Sequence, residues 1–216
     1  MPQQPHTFEK QVVKMIRLNY LLYLPPDYDE GQKWPLLMFL HGSGERGDNV
    51  EFVKKYGIPK LIEQGQQFPF IIASPQCPSD SWWLAELDGL KALLDYLLEN
   101  YPVDTRHVYM TGLSMGGHGA WEFGMAYPEY LAALVPICGS GNPRRAHLLK
   151  DVSVWAFHGA KDTIVPLSES QRMVDVLQNC GGDVRFTVYP DADHDSWTET
   201  YNNSELYEWL LSQERL

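Results

Sequence analysis

Gly112-Leu113-Ser114-Met115-Gly116, with Gly117 directly behind it, sets a serine among glycines between two different periodicities. An apolar run, Val108 to Thr111, precedes it; a stretch rich in small residues, Ser114 to Tyr127, follows and stops at Pro128. A tight strand-to-helix turn of this kind lifts a hydroxyl clear of the backbone, and glycines at the flanking positions keep neighbouring chain segments from colliding with the turn. The bland alternative is a glycine-rich turn with an incidental serine. The strand before it and the helix after it favour Ser114 as a nucleophile.

A serine hydroxyl is a weak nucleophile and needs a base, and the base needs an acid to orient it. Of the seven histidines, His147, His158 and His194 lie beyond Asn142, towards the last strands. His194 sits in Tyr189-Pro-Asp-Ala-Asp-His194-Asp-Ser-Trp197, directly after the final strand-like segment, and is the candidate base. His158 closes its own apolar run and is read as ordering the turn there; His147 is read as an exposed residue of a helix. The candidate acid is Asp162, in the loop that leaves Phe157 and reaches Pro166. Asp191, Asp193 and Asp195 crowd His194 in sequence, but close neighbours tend to point away from the ring. They are read as turn-formers and solvated charges.

Acyl chemistry also requires N–H donors aimed at a developing oxyanion. Met115, the residue after the nucleophile, supplies one. The loop His41-Gly-Ser-Gly-Glu-Arg-Gly47 follows the apolar run Trp34 to Leu40 and is expected to supply the other, from Ser43, with Gly42 in reserve. His41 is expected to bond the loop from below. Glu45, Arg46 and Asp48 are read as solvated or paired with one another.

These residues need a frame. Trp34 to Leu40, Phe70 to Ala73, Val108 to Thr111, Ala132 to Ile137 and Val152 to Phe157 are short apolar runs of the kind found in strands buried on both faces. Val184, Phe186 and Val188 alternate with polar residues and predict an edge strand. Val12 to Leu24 reads as two short strands with a turn near Arg17–Asn19. Leu84 to Tyr101, Leu167 to Asn179 and Ser204 to Ser212 have helical spacing. Alternating strand and helix predicts an α/β fold: one mostly parallel sheet flanked by helices, with chemistry in loops beyond the carboxyl ends of the strands. At 216 residues, without repeats or linkers, residues 1–216 are expected to form a single domain.

Composition narrows the partners. The formal net charge is -11, and the only adjacent arginines are Arg144–Arg145, so a nucleic-acid backbone is not an expected ligand. Cys77, Cys138 and Cys180 fit neither a zinc spacing nor a complete set of disulfides and read as small apolar residues. The N-terminus carries no basic and apolar leader pattern, and no apolar run reaches membrane-spanning length. Cytoplasmic location is the default expectation; secretion stays open.

Taken together, His41-Gly-Ser-Gly-Glu-Arg-Gly47, Ser74-Pro-Gln-Cys-Pro78 with Trp82-Trp83, Gly112-Leu-Ser-Met-Gly-Gly117 and the Asp162 and His194 loops resemble one branch of the α/β-hydrolases. This branch holds carboxylesterase-like enzymes often labelled predicted peptidases, near the phospholipase/carboxylesterase and feruloyl-esterase groups. The likeness runs from about Val12 to Leu211. It implies an α/β-hydrolase fold and serine esterase activity without a cofactor. The segment between Ile137 and Val152, where many members insert a cap, is too short here for a lid domain, which predicts a minimal fold with an open site for small, short-acyl or aryl esters. Trp82 and Trp83 are candidates for an aromatic wall, one lining the site and the other packing in the core; Trp197 is a weaker candidate.

Two other readings accompany the esterase: a serine peptidase or amidase of the prolyl-oligopeptidase type, and a non-catalytic binding protein on a hydrolase scaffold. The latter ranks last because all triad positions are filled. A dienelactone-type hydrolase is disfavoured because Ser114 stands where a cysteine would be. A metalloenzyme is disfavoured because no histidine pair has ligand spacing on a helix. The oligomeric state is not legible.

Overall fold

The computed structural model describes residues 3–215, so Met1, Pro2 and Leu216, which belong to the expected domain and N-terminal readings, lie outside the described residues. The strands are β1 (Tyr20–Tyr23), β2 (Trp34–Leu40), β3 (Ile71–Pro75), β4 (Val103–Leu113), β5 (Ala133–Ile137), β6 (Ser153–Gly159) and β7 (Val184–Tyr189). They form one seven-stranded sheet in the order β1-β3-β2-β4-β5-β6-β7. β1 runs antiparallel to β3, and every other pairing is parallel. The helices are α1 (Gly57–Glu63), α2 (Leu87–Asn100), α3 (Met115–Ala126), α4 (Ser168–Asn179), α5 (Trp197–Asn202) and α6 (Ser204–Leu211).

The two-residue alternation of a strand sorts side chains onto opposite faces. Leu36, Met38 and Leu40 of β2 join a core with Leu90 and Leu94 of α2, Trp121 of α3 and Met173 of α4. Leu37 and Phe39 face the other way, into a core with Ile58 of α1, Tyr201 of α5 and Leu210 of α6. Helices therefore cover both faces, and β2, β5 and the second half of β4, Val108–Leu113, are largely buried and apolar because neither face meets water there.

The N-terminal expectation is corrected. Only Tyr20–Tyr23 forms a strand; residues 12–19 make no ladder, and Val12, Val13 and Met15 are 78%, 88% and 92% exposed. β1 takes the edge beside β3, and nothing among the described residues pairs on its other side to hold a second strand. β4 begins five residues before the apolar run that predicted it, since Val103 pairs with Trp34 ahead of the register shift. The short helices α1 and α5 were not foreseen. No helix among the described residues is long and apolar enough to cross a membrane.

Candidate active site

β4 delivers Ser114 and α3 starts at the next residue. Ser114 has φ 54° and ψ −115°, a region that costs an L-residue about 1–3 kcal/mol and that surrounding structure must impose. Its N–H donates to the Ile137 carbonyl at 2.9 Å, and its own carbonyl accepts from His118 N–H at 3.0 Å. The glycines have a steric cause: a Cβ on Gly112 would lie 2.3 Å from the Gly116 carbonyl oxygen, and one on Gly116 would lie 2.0 Å from that of Leu40.

Ser114 Oγ lies 2.9 Å from His194 Nε2, and His194 Nδ1 lies 2.7 Å from Asp162 Oδ2. The loops carrying Asp162 and His194 are tied together: Ala160 N–H donates to the Tyr189 carbonyl and Lys161 N–H to that of Ala192, both at 2.9 Å. Asp162 Oδ1 accepts the N–H groups of Ile164 and Val165, each at 2.9 Å. Burial alone would raise this carboxyl; the His194 bond, the Val165 and Ile164 N–H groups and the His194 charge outweigh burial and hold it below its ordinary value. His158, fully buried, sits beneath Asp162. Its Nε2 is 2.8 Å from the Val165 carbonyl and 3.2 Å from Asp162 Oδ2, and Nδ1 is 2.8 Å from Ser170 Oγ. Burial lowers its pKa more than the Val165 carbonyl and Asp162 restore it. His147 is exposed.

The neighbouring aspartates have local work. Asp195 accepts from the N–H and hydroxyl of Thr198, Asp193 accepts from Asp195 N–H, and Asp191 pairs with Lys161 in solvent. Cys138 is buried, and its Sγ and the donor atoms of Asp162 and His194 all fall within 4.8 Å of one another. Asp162 and His194 are already bonded to each other, so the cluster is a hydrogen-bonded carboxylate–imidazole pair with a thiol behind it. Burial raises that thiol's pKa to about 12.

Ser43 opens a short 3-10 turn, Ser43–Glu45, beside Ser114. His41 Nδ1 lies 2.6 Å from the Gly42 carbonyl and its Nε2 accepts Cys77 N–H at 3.0 Å. Because C=O and N–H point oppositely across a trans peptide, anchoring the Gly42 carbonyl to a buried ring leaves Ser43 N–H facing outwards. The reserve donor is less available: Gly42 N–H leans on the Glu45 carboxyl. Met115, as the first residue of α3, has an N–H without an intrahelical acceptor.

A depression of about 200 Å³ lies above these groups, lined by Ser43, Glu45, Lys55, Ser114, His194 and Trp197, among others. Trp83 takes the core place expected of one of the two tryptophans: it is fully buried, its indole N–H donating to the His41 carbonyl at 3.0 Å, so as a lining candidate it is corrected, and the expectation that the other lines the site is corrected too. Trp82 is 55% exposed but does not line the depression; its ring stacks on the Arg46 guanidinium at 4.3 Å. Trp197 does line it, edge-on to His194 at 5.4 Å between ring centres. Glu45 is also corrected: it is 2% exposed, not solvated, because the loop folds back over it. Lys55 and Tyr56 were missed; they lie in a stretch with no periodicity to flag them.

Comparison with known proteins places this geometry in context. The chain is 25% identical over 204 residues to the S-formylglutathione hydrolase of Paracoccus denitrificans (strain Pd 1222), covering 78% of this chain and 71% of that protein. It is 25% identical over 233 residues to dipeptidyl-peptidase 5 of Aspergillus fumigatus (strain CBS 144.89 / FGSC A1163 / CEA10), covering 85% of this chain but 31% of that one. Among solved structures it superposes on a thermostable esterase with a TM-score of 0.80 and 33% identity, spanning 92% of this chain and 60% of that chain. These likenesses and the sheet order establish an α/β-hydrolase fold and a hydrolase. Residues 80–208 match the dienelactone hydrolase family, which corrects the expectation that Ser114 in place of a cysteine sets the chain apart from it. The chain belongs to the dienelactone hydrolase family.

Proposed function

We propose that this chain is a serine carboxylesterase that hydrolyses small carboxylic esters, short-acyl or aryl, through an acyl-enzyme on Ser114. The observation that carries the reading is the hydrogen-bonded line from Ser114 through His194 to Asp162, opening onto a solvent-facing depression. Ser114 Oγ attacks the ester carbonyl as His194 Nε2 accepts its proton. Asp162 holds the resulting imidazolium. The N–H groups of Ser43 and Met115 bind the oxyanion. His194 then protonates the departing alcohol, and a water activated by the same ring releases the acid. Trp197 offers an apolar wall. A small substrate is favoured by the modest volume and because no residue of 138–151 lines the depression. The same reading takes residues 1–216 as one capless catalytic domain with a small-molecule ester as its substrate.

The test is p-nitrophenyl ester hydrolysis over an acyl-length series, for the wild type beside Ser114→Ala. Turnover that favours short chains and collapses in the variant is expected. Strong preference for long chains would remove the open-site reading, and wild-type rates in Ser114→Ala would remove the nucleophile. The likeness to dipeptidyl-peptidase 5 favours a second reading, an amidase or peptidase on the same triad. Matched ester and amide substrates separate them: comparable kcat/KM on both would favour the peptidase.

A further inference from the structure

We infer that Arg46 is a positioning residue of the oxyanion site, clamping Ser43 through its carbonyl, with Trp82 as the cover of that clamp. The inference rests on the esterase reading above. Arg46 Nε donates to the Ser43 carbonyl at 3.1 Å, and its Nη1 donates to the Ser81 carbonyl, also at 3.1 Å. Trp82 closes one face of the guanidinium at 4.3 Å. The sequence has 28 acidic residues, yet among the described residues Arg46 forms no ion pair. A long, entropically costly side chain is instead held on two backbone carbonyls in two different loops.

One of those loops carries the proposed donor. Ser43 stands between Gly42 and Gly44 and is itself exposed, so little in its own packing fixes its orientation. Its two flanking peptides are held from outside. His41 takes the Gly42 carbonyl and Arg46 takes the Ser43 carbonyl, so that φ and ψ of Ser43 are pinned from both ends. The other loop, 76–83, is the anchor. It receives Gly47 N–H on the Cys77 carbonyl at 3.0 Å and gives Gln76 Nε2 to the Glu45 and Asn49 carbonyls at 2.8 and 2.9 Å. The planar fork of arginine reaches both loops at once; a lysine ammonium presents a single point. The aromatic cover keeps water from competing for the guanidinium and adds cation–π attraction. Trp82 thus serves the site through Arg46, although it does not line it.

The test compares wild type, Arg46→Ala, Arg46→Lys and Trp82→Ala by p-nitrophenyl acetate kinetics and by inhibition with an aryl trifluoromethyl ketone. Ser114 Oγ adds to the carbonyl carbon of that probe, its proton passes to His194, and the ketone oxygen becomes an oxyanion, so affinity reports the oxyanion site directly. Arg46→Ala is expected to lose about 10-fold or more in kcat, short of the ~10²–10³ for outright loss of a donor, with KM nearly unchanged. Inhibition should weaken by a matching factor. Added methylguanidine should restore part of both, Arg46→Lys should recover less than full activity, and Trp82→Ala should fall in between. Unchanged kcat and inhibitor affinity in Arg46→Ala would overturn the inference. So would a rate loss that merely follows a lowered folded fraction while affinity per folded molecule stays at the wild-type value. A wild type that neither turns over the ester nor binds the ketone would overturn the esterase reading, and this inference with it; that outcome is visible before any variant is made.

Discussion

The backbone N–H of Cys77 donates to Nε2 of His41 at 3.0 Å. A donor on Nε2 and a carbonyl on Nδ1 fix the neutral tautomer, since an imidazolium would set two N–H groups head to head at Nε2. Burial above all lowers the His41 pKa to about 4; the bond to the Gly42 carbonyl pulls upward against it, and the Arg46 charge adds a lesser downward push. The prop beneath the loop of Ser43, the proposed oxyanion loop, is therefore uncharged at neutral pH.

This makes the fold acid-sensitive in a defined window. Above pH 6.5 the ring is neutral in both states. As pH falls from there, the unfolded chain takes up a proton that the native ring refuses until about pH 4. Stability is expected to drop by about 3 kcal/mol across that interval and then level off. His158, lowered by burial, acts in the same direction. Urea midpoints between pH 7 and 4 measure the slope, and His41→Gln should flatten it. An equal slope in His41→Gln would place the acid sensitivity elsewhere.

Two glycines close in sequence to the chemistry should respond oppositely to alanine. A Cβ at Gly116 meets the Leu40 carbonyl oxygen at 2.0 Å, backbone against backbone, while one at Gly44 meets nothing within 4 Å. Gly116→Ala is expected to cost about 3 kcal/mol or more, which lowers Tm by roughly 6 °C or more in a chain of this size. Gly44→Ala should stay within about 0.5 kcal/mol of wild type. Thermal melts of the two variants decide it; a Gly116→Ala protein with wild-type Tm would mean the elbow can open without penalty.

Asp162→Asn isolates the part played by the acid. Oδ1 accepts two backbone N–H groups, so the amide oxygen would take that place and the NH₂ would face His194 Nδ1. Nδ1 must then accept, the proton moves to Nε2, and the ring can no longer take the Ser114 proton. A fall in kcat of ~10³–10⁴ is expected, with KM little altered. Rates within tenfold of wild type would show that His194 does not depend on Asp162 for its tautomer.

The central sheet, and the three loops that bring Ser114, His194 and Asp162 together, are legible in the sequence because each depends on a signal confined to a few residues. Apolar runs mark strands buried on both faces, and the glycines around Ser114 record backbone contacts that the measured approaches of Gly112 and Gly116 make explicit. What was not legible depends on partners distant in sequence. Val12 and Val13 have strand chemistry but stay exposed and join no ladder. Trp82 and Trp83 look alike in sequence, yet one turns to Arg46 and the other to His41, and only the fold separates them. Glu45 reads as one more surface acid until the loop closes over it.

That buried acid yields the last expectation. Burial raises the Glu45 pKa; the charge of Lys55 and the N–H groups of Gly42 and Glu45 pull it down without offsetting burial. Between its unfolded and native pKa values the native state binds more protons than the unfolded one, so this group lowers stability as pH rises through that window. Above the window the cost of the buried carboxylate is fully present; below it, it is gone. Glu45→Gln removes the ionisation and keeps the shape. Its urea midpoint should therefore exceed that of wild type at pH 8 and match it at pH 4. A variant less stable than wild type at pH 8 would mean instead that Lys55 and the loop N–H groups hold the carboxylate as a net stabilising ion, and that the oxyanion loop is braced by a charge beneath it.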